Sequence, residues 1–232
     1  MNLEGKKLSF SQKYPALKDI LSFLSFVAAV VFGTFILNTF VFRSYNVVGG
    51  SMENTLHSGE RVIVNRLAVS YEHFLGKEYV PERGQIIIFA NGGNGELKSC
   101  EAQTGIADQY IVKRTIAFPG ERVTVKDGVL TVYNEQHPEG FNPDNDTRIS
   151  DTDGPKAYTS GDVDIIVPEG EIFVSGDNRE GNNSFDSRSG LGTVPYCRIV
   201  GPAKLRIWPL EKFRTSNIKS ASWTGGFLSF SI

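Results

Sequence analysis

Residues 20–42 read ILSFLSFVAAVVFGTFILNTFVF, and no charged residue lies between Asp19 and Arg43. A helix of that length, rising about 1.5 Å per residue, spans roughly 34 Å, enough to cross the hydrocarbon core of a bilayer with some tilt. Ser22, Ser25, Thr34, Asn38 and Thr39 interrupt the apolar pattern, but their polar groups can be satisfied locally within a helix. Two other readings compete. A cleaved signal peptide needs a small-x-small site after its apolar run. Here Ala28 and Ala29 fall mid-run, and Arg43-Ser44-Tyr45 follows it. A helix buried in a soluble core would show a polar face. The stretch is therefore read as a single transmembrane helix over residues 20–42.

On its N-terminal side, Lys6, Lys7, Lys13 and Lys18 outnumber Glu4 and Asp19. Positive charge flanking a span marks the cytoplasmic side. Residues 1–19 are thus expected in the cytoplasm and the bulk of the chain beyond the plasma membrane, as a single-pass protein. The whole chain has 232 residues, 24 Lys+Arg against 26 Asp+Glu and a formal net charge of −2. Because the first 19 residues are cationic, the remainder is acidic. Such a balance gives no electrostatic footprint for nucleic acid. With 40% hydrophobic residues and two cysteines, the chain is neither disordered, collagenous nor a disulfide-dense mini-protein.

After the anchor the sequence reads as mostly β. Glu60 to Leu67 (ERVIVNRL) and Gln85 to Ala90 (QIIIFA) are short β-branched runs. Arg122 to Tyr133 (RVTVKDGVLTVY) alternates about Asp127-Gly128, a strong two-residue hairpin signal. Ile172 to Val174 and Cys197 to Trp208 supply later strands. No long helical period follows residue 43. The expected fold is mainly β: one N-terminal transmembrane helix, then an antiparallel β-rich ectodomain over 43–215 and a C-terminal tail over 216–232. Polar insertions interrupt the ectodomain near 91–104 and 134–156. The second is acidic, but its Asp144, Asp146, Asp151 and Asp153 do not follow the calcium-loop spacing, which needs a Gly at position six and a Glu at twelve. It is read as a solvated loop.

Three segments carry chemistry. Val47 to Leu56 reads VVGGSMENTL, with Ser51 behind two glycines that allow a peptide backbone to approach. A serine in that setting is either a turn residue or a nucleophile. Tyr110 to Glu121 reads YIVKRTIAFPGE. Lys113 and Arg114, as strand neighbours, point to opposite faces. Lys113 is then either an exposed edge-strand lysine or a desolvated amine whose lowered pKa suits it to act as a general base. Ser175 to Gly190 reads SGDNREGNNSFDSRSG, a loop dense in charge and hydroxyls, suited to a supporting network. His57, His73 and His137 are too scattered to propose a triad, and two cysteines without paired histidines make zinc implausible.

In this order after an apolar helix, the segments resemble bacterial type I signal peptidase. Ser51 to Leu56 resembles its nucleophile box and Arg83 to Phe89 (RGQIIIF) a structural strand box. Tyr110 to Glu121 resembles its general-base box, and Gly176 to Arg188 its Gly-Asp-Asn-Arg…Asn-Ser-x-Asp-Ser-Arg box. The resemblance implies a Ser-Lys dyad without cofactor or metal, a variant of triad logic. Ser51 would attack and its N–H would donate to the oxyanion, while Lys113 would take and return the proton. Ser184 would orient the lysine. Arg114 with Asp177, and Asp186 with Arg188, would brace the site. Val47, Gly49, Met52, Leu56 and Val112 would line shallow pockets for small residues. The implied substrates are preproteins bearing signal peptides cut after small-x-small motifs. The implied partners are the bilayer and the secretion translocon.

The chain departs from the family at Asn54, where proline is usual, at Gly49, where some members have serine, and at Gln85, where aspartate is usual. About eight residues separate Phe42 from Ser51, a reach of about 30 Å, so the serine is expected near the outer membrane surface. There, Cys100 and Cys197 either bridge, closing a loop of about 96 residues, or remain buried thiols. Two other functions stand as alternatives. One is a specialised processing peptidase of the same family for pilin or conjugation substrates. The other is an inactive membrane-anchored β scaffold, against which the retention of both Ser51 and Lys113 argues.

Overall fold

A computed structural model describes residues 14–53, 55–91, 109–145, 158–208 and 214–215. The chain falls into two compact units, Met1–Val41 and Phe42–Ile232.

In the first, helix α1 (Pro15–Ile36) runs on into a π-helical turn, Leu37–Val41. Pro15 opens it, since its fixed φ suits the first helical position and its missing N–H would have no partner there. The helix thus begins five residues ahead of the uncharged stretch and includes Lys18 and Asp19. At the other end Phe42 already belongs to a strand. The run Ala16–Val41 is long and apolar enough to cross a membrane, and none of it is buried by the protein. Two of its hydroxyls are satisfied locally, with Ser25 Oγ donating to the Ser22 carbonyl at 2.8 Å and Thr34 Oγ1 to that of Val30 at 2.9 Å.

The second unit is built of antiparallel strands, as its β-branched runs lead one to expect. In chain order they are β1 (Phe42–Asn46), β2 (Arg61–Asn65), β3 (Ile86–Asn91), β4 (Gln109–Ala117), β5 (Arg122–Lys126) and β6 (Val129–Tyr133). There follow β7 (Val163–Ile166), β8 (Glu171–Ser175), β9 (Val194–Pro195), β10 (Ile199–Trp208) and β11 (Arg214–Thr215). The main sheet has the order β1-β2-β10-β3-β4-β8-β9, with β11 added to β10. A smaller sheet has the order β6-β5-β7. Its β5–β6 hairpin turns at Asp127 (φ 51°) and Gly128 (φ 80°), the left-handed pair that a two-residue turn of this hand requires.

One short helix, α2 (Leu67–Phe74), follows β2. Cys197 and Arg198 sit in a 3-10 turn rather than in β10.

Alternate residues of β3 feed two cores. Ile87 and Phe89 pack with Ile172, Val174 and Val194, while Ile86 and Ile88 pack with Val47, Met52, Val62 and Val64. A strand buried on both faces reads as a continuous apolar run, as IIIF does. The small sheet packs a third cluster around Val123, Val125, Leu130 and Phe173. The expectations for Asn54, Cys100, most of the first insertion, the second half of the acidic insertion and the tail fall on residues outside those described.

Candidate active site

The β1–β2 loop carries Ser51. The loop is pinned at its base, where the Val47 N–H donates to the Glu60 carbonyl at 2.8 Å and the Gly59 N–H to the Val47 carbonyl at 2.9 Å. Glu60 in turn receives Arg206 Nη1 at 3.0 Å, tying the loop to β10. Within it the N–H groups of Thr55 and Leu56 close on the Met52 carbonyl, each at 2.8 Å. This tight turn swings Met52 and Leu56 inward, where they are 1% and 3% exposed among the core residues behind the cleft.

β4 supplies Lys113. It is an interior strand, paired with β3 through Gln109–Arg114 and with β8 from Arg114 onward. Lys113 stands just before β8 begins to pair, yet it is only 3% exposed, so it is not a solvated edge lysine. Its Nζ donates to Ser51 Oγ at 2.6 Å. Burial drives its pKa down from 10.5 to about 8, against the pull of Asp186 and Asp177 in the other direction, with Arg188 adding to the fall.

Arg114 leaves the strand on the opposite face and meets different partners. Its Nε and Nη2 form a two-pronged pair with Asp177 at 2.8 and 2.6 Å, and its Nη1 donates to the Gly84 carbonyl at 2.7 Å. Thr55 Oγ1 donates to the same Asp177 carboxylate, so one buried ion pair links the Ser51 turn, β4 and the loop after β8.

That loop also grips the serine turn directly. The Asn178 N–H donates to the Ser51 carbonyl at 3.1 Å, and Asn178 Nδ2 to that of Gly50 at 3.0 Å. Gly176 fits where nothing larger could. A Cβ there would lie 2.2 Å from Ser184 Oγ and 2.3 Å from the Ser51 carbonyl oxygen. The Ser184 hydroxyl donates to Asp186 Oδ2 at 2.7 Å. Asp186 also receives the Gly176 N–H at 2.9 Å and Arg188 Nη2 at 2.8 Å. Burial alone would raise the Asp186 carboxyl, but its bonds from Arg188, Ser184 and Gly176 outweigh that and hold it below the usual carboxylate range.

Ser51 and Lys113 open onto a cleft of about 590 Å³, walled by Tyr45–Val48 on one side and Gln109–Val112 on the other, with Phe185 at its rim. Of the residues expected to line it, Val47 and Val112 do so. Met52 and Leu56 lie in the core behind it instead. Gly49 sits in the adjoining turn at φ 92°, its N–H donating to Ser58 Oγ at 3.3 Å. Thr55 and Asn178 were not expected at the site, although both stand inside the quoted motifs. Their contacts depend on loops far apart in sequence, and only the position of each beside a nominated residue could have flagged it. Among the described residues no group of His, Cys, Asp or Glu is arranged to hold a metal.

The family model described as "Signal peptidase, peptidase S26" matches residues 18–208. The chain belongs to the type I signal peptidase family. As a member it is a hydrolase acting on peptide bonds. It is 32% identical over 200 residues to "Signal peptidase I S" of Bacillus subtilis (strain 168), covering 86% of this chain and 95% of that one. It is 34% identical over 180 residues to "Signal peptidase I T" of the same strain, covering 77% and 80%. "Signal peptidase IB" of Staphylococcus aureus (strain COL) is 32% identical over 208 residues, covering 85% and 94%. A crystal structure of a signal peptidase I from Enterococcus faecalis V583 aligns at 27% identity and a TM-score of 0.36, over 54% of this chain and 98% of that one.

Proposed function

We propose that the protein removes N-terminal signal peptides from exported preproteins, with Ser51 as nucleophile and Lys113 as its base. The observation that carries this is the 2.6 Å contact between Lys113 Nζ and Ser51 Oγ at the foot of the cleft, made by a lysine that burial inclines to be neutral. An ammonium has no lone pair to accept a proton. At a pKa of about 8, roughly a tenth of the molecules hold the free amine at pH 7, against well under a thousandth for an ordinary lysine.

The substrate lies extended along the cleft. Between Gln109 and Lys113, β4 has β3 on one side only among the described residues. Its other side offers main-chain groups to an added strand. Val47 and Val112 leave shallow room beside the scissile bond, which suits small side chains at the cut site. Lys113 takes the Ser51 hydroxyl proton as Oγ bonds to the scissile carbonyl carbon. The Ser51 N–H faces the oxygen that gains negative charge. As the tetrahedral intermediate collapses, the carbon–nitrogen bond breaks and the lysine hands its proton to the leaving amine. Water, deprotonated by the same amine, then releases the acyl chain and restores Ser51.

Helix α1 anchors the protein in the plasma membrane, with the N-terminus cytoplasmic and residues 43–215 as an extracytoplasmic peptidase domain. Preproteins and the bilayer are its partners, with the translocon delivering substrate. Cleavage of a preprotein in detergent tests this reading. Wild type should release the mature chain, whereas Ser51→Ala and Lys113→Met should each lose at least about a thousandfold in rate. Full activity in either variant would remove its residue from the dyad.

A further inference from the structure

Outside the dyad, the bulkiest of the fully buried charged side chains beside the site is Arg179. Both of its terminal nitrogens engage the Asp144 carboxylate, Nη2 at 2.8 Å. Asp144 comes from the acidic insertion that follows β6. A 3-10 turn, Pro143–Asn145, presents it, and the Asp144 N–H donates to Asn142 Oδ1 at 2.9 Å. The preceding Phe141 is bridged to Val132 of β6. The carboxylate is thus supplied from the small sheet, and the guanidinium belongs to the site loop.

From Arg179 the contacts run inward. Its Nε donates to the Gly176 carbonyl at 3.1 Å. Its own carbonyl receives Arg188 Nη1 at 3.0 Å and the Ser160 N–H at 2.9 Å. The turn so fixed, Gly176 to Arg179, contains the Asn178 N–H that holds the Ser51 carbonyl. It also contains the Gly176 backbone wedged between Ser51 and Ser184.

We propose that Asp144 is a positioning residue, which by holding Arg179 fixes the Gly176–Arg179 turn and through it the placement of Ser51 and of the Ser184–Asp186 pair near Lys113. This rests on the Ser51–Lys113 reading. A buried guanidinium deprived of its carboxylate does not stay in place, because the uncompensated charge is costly. The turn moves with it, and a displacement of about 1 Å at reacting atoms can cost on the order of a hundredfold in rate. Neither Asp144 nor Arg179 lines the cleft, so the loss falls on turnover rather than on substrate binding. The charged groups acting on Lys113 are Asp186 and Asp177, which favour its proton, and Arg188, which opposes it, while burial opposes it most. A loosened turn admits water, weakens the burial effect and returns the lysine toward its ordinary value. The acidic insertion thereby gains a task, and its Asp144 carboxylate is already occupied.

The test uses the full-length enzyme in detergent and a preprotein with an Ala-x-Ala cut site. Asp144→Asn should lower kcat at least about tenfold, leave KM within about twofold and move the acid limb of the kcat–pH profile upward. Asp144→Glu should recover part of the loss. Wild-type kcat and midpoint in Asp144→Asn would overturn the proposal, as would a loss that disappears once activity is normalised to folded enzyme. Should Asp144→Asn not fold, the double variant Asp144→Ala/Arg179→Met removes both charges together. It should fold yet still turn over slowly, having lost the Nε contact to Gly176, and wild-type turnover there would overturn the proposal. Ser51→Ala run alongside separates the two readings. Activity in that variant sinks the dyad and the proposal with it, whereas inactivity with an unimpaired Asp144→Asn sinks the proposal alone.

Discussion

A lysine amine gives up solvation wherever it is buried, and on the proposed reading that lost solvation at Lys113 is what suits it to act as a base. With the pKa moved from 10.5 to about 8, the charged form is disfavoured in the folded state by about 3 kcal/mol. The sign follows from proton counts. Below pH 8 both states are protonated and the penalty is full. Between about 8 and 10.5 the folded state has shed a proton that the unfolded state keeps, so stability rises with pH. Lys113→Met should therefore melt higher than wild type at pH 7, with the gap narrowing as pH climbs toward 10.5. A gap that stays constant would contradict the assigned shift. Asp177→Asn should act oppositely, stranding the buried Arg114 guanidinium at a cost of about 3–5 kcal/mol, read from denaturant unfolding. Lys113 could be nominated from the sequence because it breaks an apolar strand. Whether that strand lay inside or at an edge could not, since strand order rests on pairings with β3 and β8 that no local pattern encodes.

Among the elements, legibility followed how much of each one's structure was set locally. The β-branched runs of β2 and β3 and the Asp127-Gly128 turn were readable, because conformational preference and neighbour packing agree there. The uncharged stretch makes the apolar segment of α1 legible, while the helix itself starts five residues earlier, at Pro15. Helix α2 escaped notice because eight residues hold little more than two turns, and Phe74 and Tyr71 face solvent rather than completing an apolar stripe. Sequence adjacency and the family resemblance suggest Met52 and Leu56 as pocket lining, whereas the turn after Ser51 folds them inward. The cleft wall itself gives a test. Val112→Phe narrows it beside Lys113 and should shift cleavage toward smaller residues before the cut or toward alternative sites, as mass spectrometry of the products would reveal. An unchanged product set would remove Val112 from substrate selection. Gly176→Ala forces a methyl against the Ser51 carbonyl and Ser184 Oγ, and activity should fall well before the fold is lost.

For the whole molecule, the near-neutral charge averages two unlike units, a largely uncharged helix and an acidic β domain. Cys197 is disulfide-bonded, and the other cysteine of the chain, Cys100, lies outside the described residues. Disulfides persist on the oxidising side of a membrane, which accords with the proposed orientation. Alkylation of the denatured protein should add mass only after reduction, and modification without reductant would contradict the bond.

The most direct measurement is the pH dependence of kcat/KM for preprotein cleavage by the full-length enzyme. With Lys113 as the base, the rate should rise tenfold per pH unit below a midpoint near 8 and level off above it. A rate independent of pH from 6 to 10 would contradict a lysine base at Ser51.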